Sequence, residues 1–132
     1  MPPKSISITV KREVLLIDIS NLLCSAFEQG AISYWAWMVQ KIKPKRFDFR
    51  CDGDRIYPLL DFPLNPGGSI VLVDLETENK KYSVNLTSLK RGLQLMADKY
   101  PKHFNDLVTE NADATTADVL IQLACLGELI YG

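Results

Sequence analysis

The pattern of hydrophobic and polar positions predicts β-structure near the N-terminus. Ile6, Ile8 and Val10 alternate with small polar residues, and this period of two is typical of a half-buried strand. The stretch 32–39 alternates as well, but bulky residues occupy both of its faces. It therefore predicts either a strand packed on two sides or one that presents its tryptophans to a partner.

A helix is predicted between these two stretches, over residues 21–29, and residues 14–17 could either extend the first strand or begin a helix. Its apolar residues fall on one face, Asp18 and Ser20 are candidate N-caps, and Gly30 can end the helix in a left-handed conformation. The prolines and glycines of residues 41–68 break any long element, so this part predicts an irregular connection with short extended pieces. Long connections of this kind often carry function.

The second half of the chain has clearer patterns. A β-branched run at 69–75 and an alternating run at 81–86 flank a polar turn, which predicts a β-hairpin. Apolar residues at helical spacing then predict helices over 88–99, 101–110 and 116–126. The candidate N-caps are Asn85 or Thr87 for the first helix and Asp113 or Thr115 for the third.

This order of elements predicts an α+β fold, with an antiparallel sheet that includes the hairpin and about three helices packed on one face. The chain has 132 residues, of which 47% are hydrophobic, and this length fits a single compact domain over residues 1–132.

Charge and hydropathy narrow the class of partner. The 15 basic and 16 acidic residues give a net charge of -1, whereas nucleic-acid-binding domains are usually basic, so direct nucleic-acid binding is not expected. The first residues lack the apolar core of a signal peptide, and no apolar stretch reaches the ~18 residues that span a bilayer. We expect a cytoplasmic protein without a membrane partner.

Catalytic and metal-binding motifs are absent from the sequence. The three cysteines form no C-x-x-C pair, and Cys24 and Cys125 lie in apolar patterns typical of core residues. His103 could pair with Cys51 as a nucleophile, but packing or capping at a helix junction is the simpler interpretation. The sequence thus predicts a protein that is not an enzyme and has no cofactor and no metal site.

Two surfaces remain as candidate binding sites. Aromatic residues lie next to a basic stretch, a combination that suits stacking on a nucleotide or contact with a protein, although the tryptophans could equally face the core. Three acidic residues near the last helix could converge or mimic phosphates, although Asp113 is also explained as a cap. The aromatic-basic candidates are Tyr34, Trp35, Trp37, Lys43, Lys45, Arg46, Arg50 and Arg55, and the acidic candidates are Glu110, Asp113 and Asp118.

Two parts of the chain resemble a family of small, uncharacterised bacteriophage and prophage proteins. They are LLCSAFEQGAISYW at 22–35, and LKRGLQLMA at 89–97 followed by YPKHFND at 100–106, ADVLIQL at 117–123 and GELIYG at 127–132. Together they cover about half of the chain, while residues 39–68 have no counterpart. The resemblance implies a phage origin and an accessory role in the host cytoplasm, but no catalytic residue carries over.

A phage protein of this kind suggests two functions. The first is inhibition of a host defence protein, such as a CRISPR effector, by an anti-CRISPR type of binding. The alternative is sequestration of a small second-messenger nucleotide, with aromatic residues stacking on the base. A homodimer is a further expectation, because small α+β domains often bury an apolar hairpin face against a second copy and symmetric dimers are the commonest oligomers.

Overall fold

The computed structural model describes residues 4–51 and 58–132, and these contain a three-stranded antiparallel sheet. The strands are β1 (Ala36–Ile42), β2 (Ser69–Asp74) and β3 (Lys80–Val84), with β2 in the centre. Every residue of β2 is buried, because helices cover one face and long side chains of the neighbouring strands flank the other.

The predicted hairpin is confirmed as β2 and β3. Its register pairs Asp74 with Lys80 across a tight turn, in which Glu78 and Asn79 have φ values of 55° and 59°. Two successive left-handed residues match the right-handed twist of the flanking strands, which explains why the chain reverses here.

The three C-terminal helices are also confirmed, as α2 (Leu86–Lys99), α3 (Pro101–Val108) and α4 (Ala114–Leu126). Of the alternative caps, Asn85 and Asp113 are the ones used, and each accepts a hydrogen bond from a backbone N–H three residues later. The fold is therefore of the α+β class, as the sequence predicts.

The first helix begins earlier than predicted. α1 spans Leu16–Leu23 and continues into a π-helical turn, Cys24–Glu28. Its N-cap is Leu15, which makes no side-chain capping bond, so the predicted caps Asp18 and Ser20 were wrong. Ser20 is buried and donates its hydroxyl to the Asp61 carboxylate, a tertiary contact that outweighs its capping preference.

One strand prediction was wrong and another was right only in part. Residues 5–11 form no strand and do not join the sheet. In the stretch 32–39 the first residues form turns, in which Ile32 accepts hydrogen bonds from the N–H groups of Trp35 and Ala36, and the strand begins only at Ala36. The irregular connection contains a 3-10 helix, Pro58–Leu64.

The core lies between the inner face of the sheet and the helices. Ile70 and Leu72 of β2 contribute to it, and α2 and α4 cross closely at Gly92. A Cβ atom at Gly92 would come within 2.8 Å of the backbone nitrogen of Ala124, so this crossing requires glycine. No helix in the described ranges is long and apolar enough to cross a membrane.

Candidate interaction surface

The sheet has an outer face that differs chemically from the core side. Along β2 the residues alternate, so that Ile70 and Leu72 face the core while Val71 and Val73 face the other way. Trp37 lies directly opposite Val73, and directly opposite residues in a strand pair share a face. The outer face therefore carries a continuous apolar strip.

The members of this surface follow from the register of the three strands. Gln40 and Ile42 pair with Val71 and Ser69, and on the other side Lys81 pairs with Val73. We call the set that shares this face the open face: Trp37, Gln40, Ile42, Ser69, Val71, Val73, Lys81 and Ser83.

Trp37 is the most prominent side chain of the open face, with 63% of its surface exposed. A bulge between Met38 and Gln40 leaves Val39 without a partner in β2, and Val39 is also exposed, at the free edge of the strand. An exposed tryptophan beside valines is typical of protein interfaces, where aromatic residues carry much of the binding energy.

Basic residues continue from the end of β1. Lys43 and Lys45 are exposed, whereas Arg46 lies 3.5 Å from Asp48 and Arg50 stacks on the Phe47 ring at 4.3 Å. The structure thus places four of the predicted basic residues on the chain segment that follows the open face. The fifth, Arg55, lies outside the described residues.

Trp35 is part of the core and not of the open face. It is fully buried, stacks on Tyr131 with ring centroids 5.4 Å apart, and donates its indole N–H to Asp118 at 2.8 Å. Tyr34 is half exposed and also donates to Asp118. Burial and the Asp118 carboxylate raise the pKa of Tyr34 to about 12. Of the three aromatic candidates, only Trp37 therefore lies on the open face.

The acidic candidates have separate roles. Asp118 accepts hydrogen bonds from Tyr34, Trp35 and Gln122 and so belongs to an internal network.

Asp113 caps α4, and the Thr116 backbone N–H lowers the pKa of Asp113, against a smaller opposing effect of desolvation. His103, half-buried in α3, contributes a smaller lowering through its charge. Glu110 is exposed in a left-handed conformation after α3. Within the described ranges, no three His, Cys, Asp or Glu residues are arranged to hold a metal ion.

The sequence analysis missed the network around Gln122. This side chain is buried in α4, where its carbonyl accepts from the N–H groups of Ile130 and Tyr131 and its amide donates to the Tyr131 carbonyl. The Tyr131 hydroxyl in turn donates to the buried Asp74 at 2.8 Å. A glutamine within the apolar run of α4 was the one local signal for such a contact.

A second internal network supports the segment that follows β1. The buried Asp61 accepts the backbone N–H of Cys51 at 2.6 Å, and Asn65 bonds both backbone groups of Phe49. Cys51 is thereby anchored through its backbone, and this part of the connection has a fixed course despite its irregular structure.

Two cavities accompany these features. The larger, about 590 Å³, lies between residues 8–14 and α2, and its walls are mostly apolar with Arg12 and Lys90 among them. The smaller, about 110 Å³, lies beside β1 and is lined by Phe27, Ala36 and Met38 among other residues. Tyr34 and the tryptophans do not line the larger cavity, so the predicted stacking residues do not form a nucleotide pocket there.

Comparison with known proteins gives no relative for this arrangement. The chain matches no family model, no curated protein and no solved structure. The resemblance to phage proteins thus stays a prediction, and the function rests on the geometry of the chain itself.

Proposed function

We propose that this protein acts by binding another protein through the open face and the basic residues that follow β1. The observation that carries the proposal is Trp37, exposed on an apolar strip of the sheet. The resemblance to phage proteins suggests the kind of partner, a host defence protein such as a CRISPR effector, which the bound protein would inhibit.

The chemistry of the surface indicates what such a partner presents. Burial of Trp37 against an apolar patch would supply most of the affinity, because large aromatic residues at the centre of an interface lose the most water. Lys43 and Lys45 at the margin would favour an acidic rim and speed the encounter. The partner surface is therefore expected to be apolar at its centre and acidic on one side.

The experiment measures inhibition and binding together. Host cells with an active CRISPR system receive a targeted plasmid, with the protein or with its Trp37→Ala variant, and plasmid survival is scored. The purified effector is then tested for binding to the same two proteins. We expect the variant to lose both inhibition and binding while its thermal midpoint stays unchanged, since the side chain is largely exposed.

Two double variants test whether Lys43 and Lys45, which we call the basic margin, contribute to binding. Lys43→Glu with Lys45→Glu should weaken binding, whereas Lys99→Glu with Lys102→Glu makes the same change of charge on exposed residues at the ends of α2 and α3. Equal binding by the two double variants would show that the basic margin does not contribute to binding. Full activity of Trp37→Ala would overturn the open face as the binding site.

Sequestration of a small nucleotide is the competing prediction. The protein purified from phage-bearing host cells is denatured, and the released small molecules are analysed. A nucleotide released in stoichiometric amount, with no inhibition of a defence protein, would overturn the proposed function in favour of sequestration.

A further inference from the structure

The segment 5–11 has the sequence pattern of a β-strand but no place in the sheet of its own chain. It forms no helix or strand, and the exposed fractions of Ile6, Ile8 and Val10 are 90%, 79% and 73%. β-Branched residues in alternation are strongly favoured in strands and costly to leave in water. This segment therefore has unused capacity to pair with a strand edge.

The packing of this segment on its own chain is loose. Residues 8–14 form one wall of the 590 Å³ cavity against α2, so their apolar side chains do not fill the groove beside them. Val14, by contrast, is partly buried and packs against the core, immediately before α1. The segment can leave its groove with little loss of contact, because its apolar side chains are mostly exposed. Arg12, which lies over the Phe104 ring at 6.0 Å, marks the point from which the chain stays attached.

The sheet offers one edge suited to such a strand. The β3 edge bears exposed Lys80 and Lys81, and lysines protect an edge against further pairing. The β1 edge carries one exposed lysine, Lys41, near its C-terminal end, and the exposed apolar residues Trp37 and Val39 before it. The strands pair in the order β1-β2-β3, so β1 has β2 on one side only, and the apolar first half of its other edge lacks lysines.

A cavity lies where an added strand would pass. The 110 Å³ cavity is lined by Ala36, Trp37 and Met38 of β1 together with Ala26 and Phe27 of the π-helical turn. Its apolar walls and its volume suit one branched aliphatic side chain. The alternating residues of segment 5–11 supply such side chains at every second position.

We propose that segment 5–11 of one copy adds to the β1 edge of a second copy, and that the exchange is reciprocal. The product is a twofold dimer with two four-stranded sheets, in which a side chain such as Ile8 fills the cavity beside Met38. This dimer does not depend on the proposed function, because pairing at the strand edge leaves Trp37 on the open face.

Sedimentation of the purified chain tests the dimer. We expect a concentration-dependent species of twice the 14.9 kDa chain mass. The double variant Ile6→Lys, Ile8→Lys and the edge variant Val39→Lys should each be monomeric, with unchanged thermal midpoints because all three side chains are exposed. Ile130→Lys, an exposed change outside both β1 and segment 5–11, should still dimerise.

A disulfide experiment tests the pairing itself. Chains with Ile8→Cys and chains with Met38→Cys, carrying different tags, are mixed, refolded and oxidised. We expect this experiment to give at least tenfold more mixed disulfide than the matched experiment with Ile8→Cys and Lys80→Cys. The matched experiment targets the β3 edge. All of these chains keep the same three native cysteines, so the background of other disulfides is shared.

Three results would overturn the proposal. One is a monomer at every concentration reached, which would leave the segment on its own chain. Another is a dimer that survives Ile6→Lys, Ile8→Lys, which would point to direct pairing of two β1 strands. The last is equal cross-linking to the two edges.

Discussion

Asp118 shows how one carboxylate can organise the surroundings of a buried tryptophan. It accepts from the Tyr34 hydroxyl, the Trp35 indole and the Gln122 amide, groups that come from two distant parts of the chain. Trp35 is fully buried, so its N–H has no access to water if this acceptor is removed.

We predict that Asp118→Ala lowers the free energy of unfolding by about 1–3 kcal/mol, the usual cost of a buried donor left without a partner. Urea unfolding measures this difference. Asp98→Ala is the matched control, because Asp98 is exposed on α2 and accepts a hydrogen bond from the exposed Gln94. It should change stability by less than about 0.5 kcal/mol. Equal effects of the two changes would show that the Asp118 network does not stabilise the fold.

The lowered pKa of Asp113 predicts that the free energy of unfolding falls in acid. Hydrogen bonds from the Thr116 backbone hold the pKa of Asp113 below its ordinary value of 3.8, so the folded protein binds this proton more weakly than the unfolded chain does. The stability that the carboxylate contributes is therefore complete above about pH 4 and is lost as the pH falls through the lower folded pKa.

The Asp113→Asn variant separates the charge from the cap, because asparagine caps helices about as well as aspartate. We expect its unfolding free energy to fall less steeply than that of the unchanged chain between pH 4 and pH 2, measured by urea unfolding at each pH. Glu110→Gln, a change on an exposed carboxylate, should follow the unchanged chain. Parallel curves for Asp113→Asn and the unchanged chain would contradict this role.

At the scale of elements, the crossing of α2 and α4 depends on one glycine. Gly92→Ala adds a methyl group that would lie 2.8 Å from the Ala124 nitrogen. Alanine favours helix formation by about 1 kcal/mol, but overpacking at a fixed crossing costs about 1–3 kcal/mol. We predict a net loss of stability in urea unfolding. Lys90→Ala, on an exposed position of the same helix, should be neutral within about 0.5 kcal/mol. A more stable Gly92→Ala would show that the two helices can separate.

The elements that could be predicted are those with local signals. The hairpin has its turn residues between two β-branched or alternating runs, and the caps of α2 and α4 lie within three residues of the N–H groups they bind. The start of α1 could not be predicted in this way. It has no side-chain cap, and Ser20, which looks like one, bonds to Asp61 far along the chain.

The candidate site was only partly predictable for the same reason. Trp35 and Trp37 are equivalent in the sequence pattern, yet one is buried and the other exposed. Their difference arises because the strand begins at Ala36 and because Asp118, 83 residues away from Trp35, accepts its indole N–H. Alternation alone cannot show which face of a strand the helices will cover.

At the scale of the whole molecule, Tyr131 connects parts of the chain that are distant in sequence. Its backbone bonds to Gln122 of α4, its ring stacks on Trp35 just before β1, and its hydroxyl donates to Asp74 at the end of β2. Burial, followed by the Asp74 hydrogen bond and charge, raises the pKa of Tyr131 to about 12. Tyr131 therefore joins the sheet to α4, with its phenol bonded to Asp74 and its backbone bonded to Gln122.

The raised pKa of Tyr131 predicts that the folded protein loses stability in alkali. Because the pKa is raised in the folded state, the contribution of Tyr131 is complete below its ordinary value of 10 and is lost as the pH rises toward 12. We predict that Tyr131→Phe removes one late ionisation step from the phenolate absorbance titration and makes the thermal midpoint less sensitive to pH above 10.

Tyr131→Ala additionally removes the ring that covers Trp35, and Trp35 fluorescence should then shift to longer wavelength as water reaches the indole. Tyr131→Phe keeps the stacked ring and should leave the emission unchanged. Trp37, already exposed, supplies a constant background in both variants. If Tyr131→Phe and Tyr131→Ala shifted the emission equally, the Tyr131 hydroxyl rather than its ring would hold the C-terminal segment over Trp35.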